Sequence, residues 1–265
     1  MSRPTLTLAA RARGALLGLA APASPDLPLA LILAEELLRP DIDVRRIAHR
    51  WAGHAARSGA ELDPATRLAL AHIAERDAPP HQLLGPPSAG PLARVVPVAI
   101  RAWATPANLA SGSYHLVALT HPDPITAWAA VAVNMALAEF LRGRRDFLAD
   151  VIAVLRNNDA PPELLQAARR VPRLIDREEL AAPGGPAAAM EAALWVAHHE
   201  PDAGRGLDWL EATGRDATTL AVAGALLGAR DGERGLPAGR VDRAPDRERI
   251  VGLAERLVGQ RSGAT

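Results

Sequence analysis

The sequence predicts an all-α fold, and three observations carry the prediction. The apolar share of 49% is mostly Ala, Leu and Val, with aromatics at only 3%, so the core must be built from small aliphatic side chains at close helix spacing, which favours helices over strands. Apolar positions recur at helical spacing, as in Phe147, Leu148, Val151, Ile152 and Leu155, and no alternating segment of useful length competes with them. Pro, Gly and capping Asp residues punctuate the chain where helices would start and stop. At 265 residues the chain fits one large helical domain over 1–265, since single cores stop growing near ~250–300 residues.

Each element follows in order. Residues 4–20 read as a helix with Pro4 near its first turn, and 26–38 as a second, stopped by Pro40. Asp41 or Asp43 caps a third that runs to Ser58 and Gly59, with Ile42, Ile47, Trp51 and Ala55 as its apolar stripe. Asp63 followed by Pro64 starts a fourth, ending near Arg76. Pro79, Pro80, Gly85, Pro86 and Pro87 make 77–90 the longest loop. Helices resume at 92–104, 105–119 and 124–141, and another begins at Arg144. Asp159 caps a short helix that ends in Arg169 and Arg170, cations at the negative end of the helix dipole. The Pro-Gly-Gly-Pro run at 183–186 precedes a helix to His199, and further helices are expected at 203–213, 218–230 and 246–258.

Composition excludes several function classes. The net charge is +0 and every basic residue is Arg, a bias that a GC-rich bacterial genome accounts for. With balanced charge and few aromatics there is neither an electrostatic footprint nor a stacking platform for nucleic acid. The chain has no Cys, which removes disulfides and thiolate chemistry and fits a reducing cytoplasm. No apolar run is expected to approach the ~18 residues of a membrane span. Arg3, Arg11 and Arg13 before a Gly/Ala/Leu stretch mimic a secretory signal, but two of those arginines fall deep inside the segment, so a cytoplasmic location is expected. His198, His199 and Glu200 lack the spacing of a zinc motif and read as a solvated helix end.

One internal echo stands out. Gly-Ala-Leu-Leu-Gly occurs at 14–18 and again at 224–228, each time placing two glycines one turn apart on a helix face. Glycine costs a helix roughly 1 kcal/mol relative to Ala, so the pairs point to faces where backbones approach closely.

Several stretches in this order resemble the ADP-ribosylglycohydrolase family: Arg-Ala-Arg-Gly-Ala-Leu-Leu-Gly-Leu at 11–19, Arg-Val-Val-Pro-Val-Ala-Ile at 94–100, Leu-Thr-His-Pro-Asp at 119–123 leading into the helix of Trp128 and Asn134, and Thr-Thr-Leu-Ala-Val-Ala-Gly-Ala-Leu-Leu-Gly-Ala at 218–229. The resemblance implies a compact orthogonal multi-helix bundle and removal of ADP-ribose from protein side chains or related compounds with two Mg²⁺ ions. It also implies where the metal motifs fall. The family's first motif, Thr-Asp-Asp-Thr, matches Ser24, Pro25, Asp26 and Leu27, so Ser24 and Asp26 occupy ligand positions. The second, Gly-Asp-Thr-Asp-Thr, matches Gly214, Arg215, Asp216, Ala217 and Thr218, in which both ligand aspartates are replaced and Thr218 is retained.

Mg²⁺ demands near-octahedral oxygen ligation and is held by carboxylates. Ser24, Asp26, Asp216 and Thr218 are therefore a vestigial set, expected to be empty or to hold at most one weak Mg²⁺, and no cofactor is expected. Other positions resemble the family in part. Glu61 falls where the family has an acid that assists water attack, with Asp63 its competitor; as a structural alternative both cap the next helix. Ser88, Gly90 and Arg94 match the loop that contacts ADP-ribose, with His121 beside it and Gly214 and Arg215 at the vacated metal motif.

Three readings follow. One is a pseudoenzyme that binds an ADP-ribose-like molecule or a protein partner, with Arg215 gripping phosphate or carboxylate in place of metal. Another is a divergent hydrolase of ADP-ribosyl or other N/O-glycosidic bonds using Glu61 or Asp63 with one or no ion. The last is a complex-forming subunit with a large apolar surface patch, for which exposed Trp103, Trp195 or Trp209 would be the sign.

Overall fold

A computed structural model describes residues 5–59, 61–174 and 176–259, and among them the regular structure is helical throughout. Pro4, placed by the sequence in the first turn of the first helix, lies outside the described residues.

The helix starts are set by local side chains. In α1 (Leu8–Ala20) the Thr7 hydroxyl accepts from the Ala10 N–H at 3.1 Å. Asp26 stands at the start of α2 (Leu27–Glu36) without a side-chain cap bond, which leaves its carboxylate for other partners. Asp43, rather than Asp41, caps α3 (Val44–Ser58), and the chain leaves it through left-handed Gly59. Asp63 caps α4 (Pro64–Arg76) by accepting from the Thr66 N–H at 2.9 Å. At α1, α3 and α4 an orphan donor of the first turn thus finds an oxygen.

The expected helix over 92–104 is two, α5 (Gly90–Arg94) and α6 (Val96–Ala102). Pro97 has no N–H to return to the Ala93 carbonyl, so the ladder breaks at Val95. The Val95 carbonyl accepts from the Val98 N–H at 3.0 Å and takes a second bond from buried Asn134 at 3.0 Å. Asn134 lies on α8 (Pro124–Leu141), which α7 (Pro106–Ala118) precedes. The next helix, α9 (Leu148–Asn157), begins later than Arg144. Asp159 does not cap α10 (Pro162–Arg170): it sits in a left-handed turn at φ 49°, and Pro161 takes the cap position. The remaining helices are α11 (Gly185–His199), α12 (Ala203–Ala212), α13 (Ala217–Asp231), the short α14 (Ala238–Val241) and α15 (Arg247–Gly259).

Two helices organise the packing. By length and composition α8 is apolar enough to cross a bilayer, contrary to the expectation that no segment approaches that length, but 83% of the 18-residue span is buried inside the protein. It packs against α5, α6, α7, α9, α11 and α13, and the buried apolar side chains form one cluster around it. The other is α13, which lies along α1. There the two Gly-Ala-Leu-Leu-Gly segments meet antiparallel, Gly14 against Gly228 and Gly18 against Gly224. A Cβ on Gly14 would lie 2.8 Å from the Gly228 carbonyl carbon and closer still to its oxygen. Only glycine lets the two backbones touch, at a separation where Cα–H groups face carbonyl oxygens.

The tryptophans do not form an exposed patch. Trp195 is buried and donates to the Leu174 carbonyl at 2.8 Å, while Trp103 and Trp209 are half-buried. At the end of α11, His198 is exposed and His199 bonds the Val171 carbonyl at 2.8 Å.

Candidate functional site

The polar centre forms where five chain segments converge: the turn from α1 into α2, the start of α4, the loop running into α5, the end of α7, and the start of α13. Its middle is Arg94, whose side chain is 0% exposed. The guanidinium donates through Nε to Asp26 Oδ1 at 3.0 Å, and its Nη2 stands 2.9 Å from the same oxygen. It also donates through Nη1 to Thr120 Oγ1 at 2.9 Å and through Nη2 to Thr66 Oγ1 at 2.6 Å. The Trp51 ring lies under it, 5.6 Å from Cζ, a cation–π contact inside the core. The fork of donors is thereby engaged through all three of its nitrogens.

Gly90 makes this arrangement possible. A Cβ there would meet Asp26 Oδ2 at 2.7 Å and Arg94 Nη2 at 3.1 Å, so any side chain would wedge between the two charges. Burial pushes the Asp26 carboxyl up from its ordinary range, opposed by the Arg94 guanidinium, with Asp63 and Asp216 adding to the rise.

Asp63 and His121 form the outer layer. Asp63 takes the Thr66 hydroxyl at 2.6 Å and stands 3.9 Å from Arg94 Nη2. Burial alone would raise its carboxyl, but the Thr66 hydrogen bonds, with the charges of Arg94 and His121, hold it below the usual carboxylate range. His121 is fully buried, with Nδ1 3.1 Å from Thr120 Oγ1 and Nε2 3.0 Å from Ser88 Oγ and 3.6 Å from Asp63 Oδ1. Burial, reinforced by the Arg94 charge, pushes its imidazole down to about 4, against the attraction of Asp63.

The site residues expected from the sequence therefore divide. Asp26, Asp63, Ser88, Gly90, Arg94 and His121 are brought together. Ser24 and Thr218 also meet, their hydroxyls 3.2 Å apart across 194 positions of chain, and Ser24 accepts from the Asp26 N–H at 3.3 Å. Asp216 is exposed and accepts from the Thr219 N–H at 2.7 Å, as the cap of α13. Gly214 and Glu61 are exposed. Arg215 donates through Nη2 to the Ala181 carbonyl at 2.6 Å, tying down the segment before α11. Thr120 stands in the Leu-Thr-His-Pro-Asp match at 119–123 and Trp51 in the apolar stripe of α3, but nothing in the sequence marks them, or Thr66, as partners of Arg94; a threonine next to a histidine carries no such signal until its neighbours are known.

The donor set can be compared with what two Mg²⁺ ions require. One buried carboxylate is already paired with a guanidinium, a second carboxylate is spent on a helix cap, and the remaining oxygens are hydroxyls. Among the described residues no group of three His, Cys, Asp or Glu side chains is placed to hold a metal ion. These residues do not fit a pair of small, hard, oxygen-demanding cations.

The described residues are thus an all-helical array in which helix starts gather around a buried, charged centre. The sequence profile of the ADP-ribosylglycohydrolase family matches residues 20–265, and the chain belongs to that family. A solved structure described as an ADP-ribosylglycohydrolase-related protein complex is similar over 95% of this chain and 98% of its own, with a TM-score of 0.80 and 26% sequence identity. No curated protein matches the chain.

Proposed function

We propose that this member of the family has given up Mg²⁺-dependent hydrolysis of ADP-ribosyl bonds and works by binding, to an ADP-ribose-like molecule or a protein partner. The observation that carries the reading is the second metal motif, where Arg215 stands in place of a ligand aspartate and bonds the Ala181 carbonyl, and Asp216 caps α13. Mg²⁺ is held by carboxylates in near-octahedral oxygen ligation. The one buried carboxylate left, Asp26, is already paired with Arg94. A two-metal mechanism needs both ions to orient water and polarise the bond, so the reaction loses its means.

A second reading, metal-free hydrolysis, is favoured by the placement of Asp63, whose side chain is 18% exposed beside His121 and Arg94. Its depressed carboxyl makes it a poor general base, since a base works best with a pKa near the working pH. Among the described residues, exposed Glu61 has no such neighbours.

Calorimetry with ADP-ribose, in Mg²⁺ and in EDTA, tests the binding reading together with turnover of ADP-ribosylated peptide. Equal heats with and without EDTA and no turnover support a metal-free small-molecule site. Absence of heat transfers the reading to a protein partner. Robust Mg²⁺-dependent release of ADP-ribose refutes it, and release that is EDTA-insensitive but lost in Asp63→Asn establishes the second.

A further inference from the structure

Ser88 and Asp63 each lie within hydrogen-bonding or ion-pair distance of His121, and at first sight the three form the parts of a serine hydrolase. Their wiring contradicts that. In a nucleophilic triad the serine meets one ring nitrogen and the carboxylate the other. Here Ser88 and Asp63 both face Nε2, and Nδ1 is taken by Thr120.

The direction of the protons follows from Arg94, which can only donate. Thr120 Oγ1 accepts from Arg94 Nη1, and among the described residues its one other partner is His121 Nδ1, so its single proton has only that nitrogen to go to. That makes Nδ1 an acceptor and places the ring proton on Nε2. There it is aimed at Ser88 Oγ, with the Asp63 carboxylate nearby to attract it. The second branch runs the same way: Thr66 Oγ1 accepts from Arg94 Nη2 and donates to Asp63 Oδ2. Ser88, accepting from His121, keeps its own proton, and among the described residues its hydroxyl has no other partner.

We infer that Arg94, through Thr120, locks His121 as the Nε2–H tautomer, and that Ser88 therefore faces a ligand as a hydroxyl donor to an acceptor oxygen rather than as a nucleophile. Thr120 is a positioning residue in this scheme. The tautomer rests on hydrogen-bond geometry alone, whereas the role of Ser88 rests on the binding reading above.

Two-bond proton–nitrogen NMR of the full chain labelled on histidine nitrogen tests the tautomer, with the His121 signals assigned by their loss in His121→Gln. The expected wild-type pattern is a protonated Nε2 and an unprotonated Nδ1, kept in Thr120→Ser and lost in Thr120→Val. A wild-type Nδ1–H tautomer, or a pattern unchanged in Thr120→Val, overturns the lock. A fluorophosphonate probe is expected to leave Ser88 unlabelled; labelling there restores the nucleophile and refutes the inference. With ADP-ribose as the probe ligand, Ser88→Ala is expected to weaken binding about fivefold, the scale of one neutral hydrogen bond. Unchanged affinity removes Ser88 from the ligand, and absence of binding by the wild type refutes the binding reading and the role of Ser88 with it, while the NMR result still decides the tautomer.

Discussion

Substituting Gly224 by Ala pits two effects of opposite sign against each other. In an isolated helix the change is worth about 1 kcal/mol of stabilisation, because glycine pays the larger backbone entropy. In this protein a Cβ on Gly224 would stand 2.9 Å from the Gly18 carbonyl carbon and 3.4 Å from its Cα, and nearer still to the carbonyl oxygen. These are main-chain atoms of a buried helix and cannot rotate aside. Relief requires α1 and α13 to separate by on the order of 1 Å, and that opens contacts along a seam of small residues where dispersion falls steeply with distance. Overpacking costs typically ~1–3 kcal/mol, and a backbone clash belongs at the upper end. The net expectation is a loss of about 1–2 kcal/mol, a fall of several degrees in melting temperature for a protein of this size. Gly252 on α15 is the control, since a Cβ there meets nothing within 4 Å, and Gly252→Ala is expected to stabilise by up to about 1 kcal/mol. Urea denaturation of both variants against wild type reads the difference. If Gly224→Ala is as stable as Gly252→Ala, the close approach does not govern the seam and the reasoning fails.

Arg94→Met strands Asp26 in the core, and removing one partner of a buried pair costs about 3–5 kcal/mol; chemical denaturation at neutral pH measures it, and adding Asp26→Leu is expected to recover part of the loss. His121 sets a pH dependence with a definite sign. The unfolded histidine takes up a proton near 6.5 and the folded one only near 4, so stability is present above that window and is lost as pH falls through it, approaching about 3 kcal/mol. His121→Gln is expected to flatten stability between those limits, and an unchanged slope rejects the assignment. Arg215→Ala removes the hydrogen bond to the Ala181 carbonyl; faster hydrogen exchange in the segment before α11 with ADP-ribose affinity unchanged is expected, and a selective loss of ligand binding would return Arg215 to the site.

Much of the fold was legible because its helix boundaries are written locally. Asp43 and Asp63, both cap candidates on sequence, cap helices through their own carboxylates, and such bonds depend on residues two or three places away. The Gly-Ala-Leu-Leu-Gly echo was legible for a similar reason: paired glycines on a helix face have few purposes besides close approach. The break between α5 and α6 was missed although Pro97 announced it, since a proline in an apolar run also suits a helix's first turn. The site was legible only as an inventory. Asp26, Arg94 and His121 could be named from motifs, but that Arg94 would turn inward onto Asp26, Thr66 and Thr120 depends on segments far apart in the chain. The choice between Glu61 and Asp63 likewise waited on which of them faced the core. Arg215 was expected in the vacated site, and nothing near it in sequence signalled the carbonyl of Ala181.

The seam between α1 and α13 joins two helices made some two hundred residues apart. During synthesis the glycine face of α1 therefore stays without its partner until α13 has emerged from the ribosome. A chain cut short before residue 217 retains most of its helices yet lacks the surface on which the first one rests. Such a fragment leaves a seam of small residues open to chaperones and proteases.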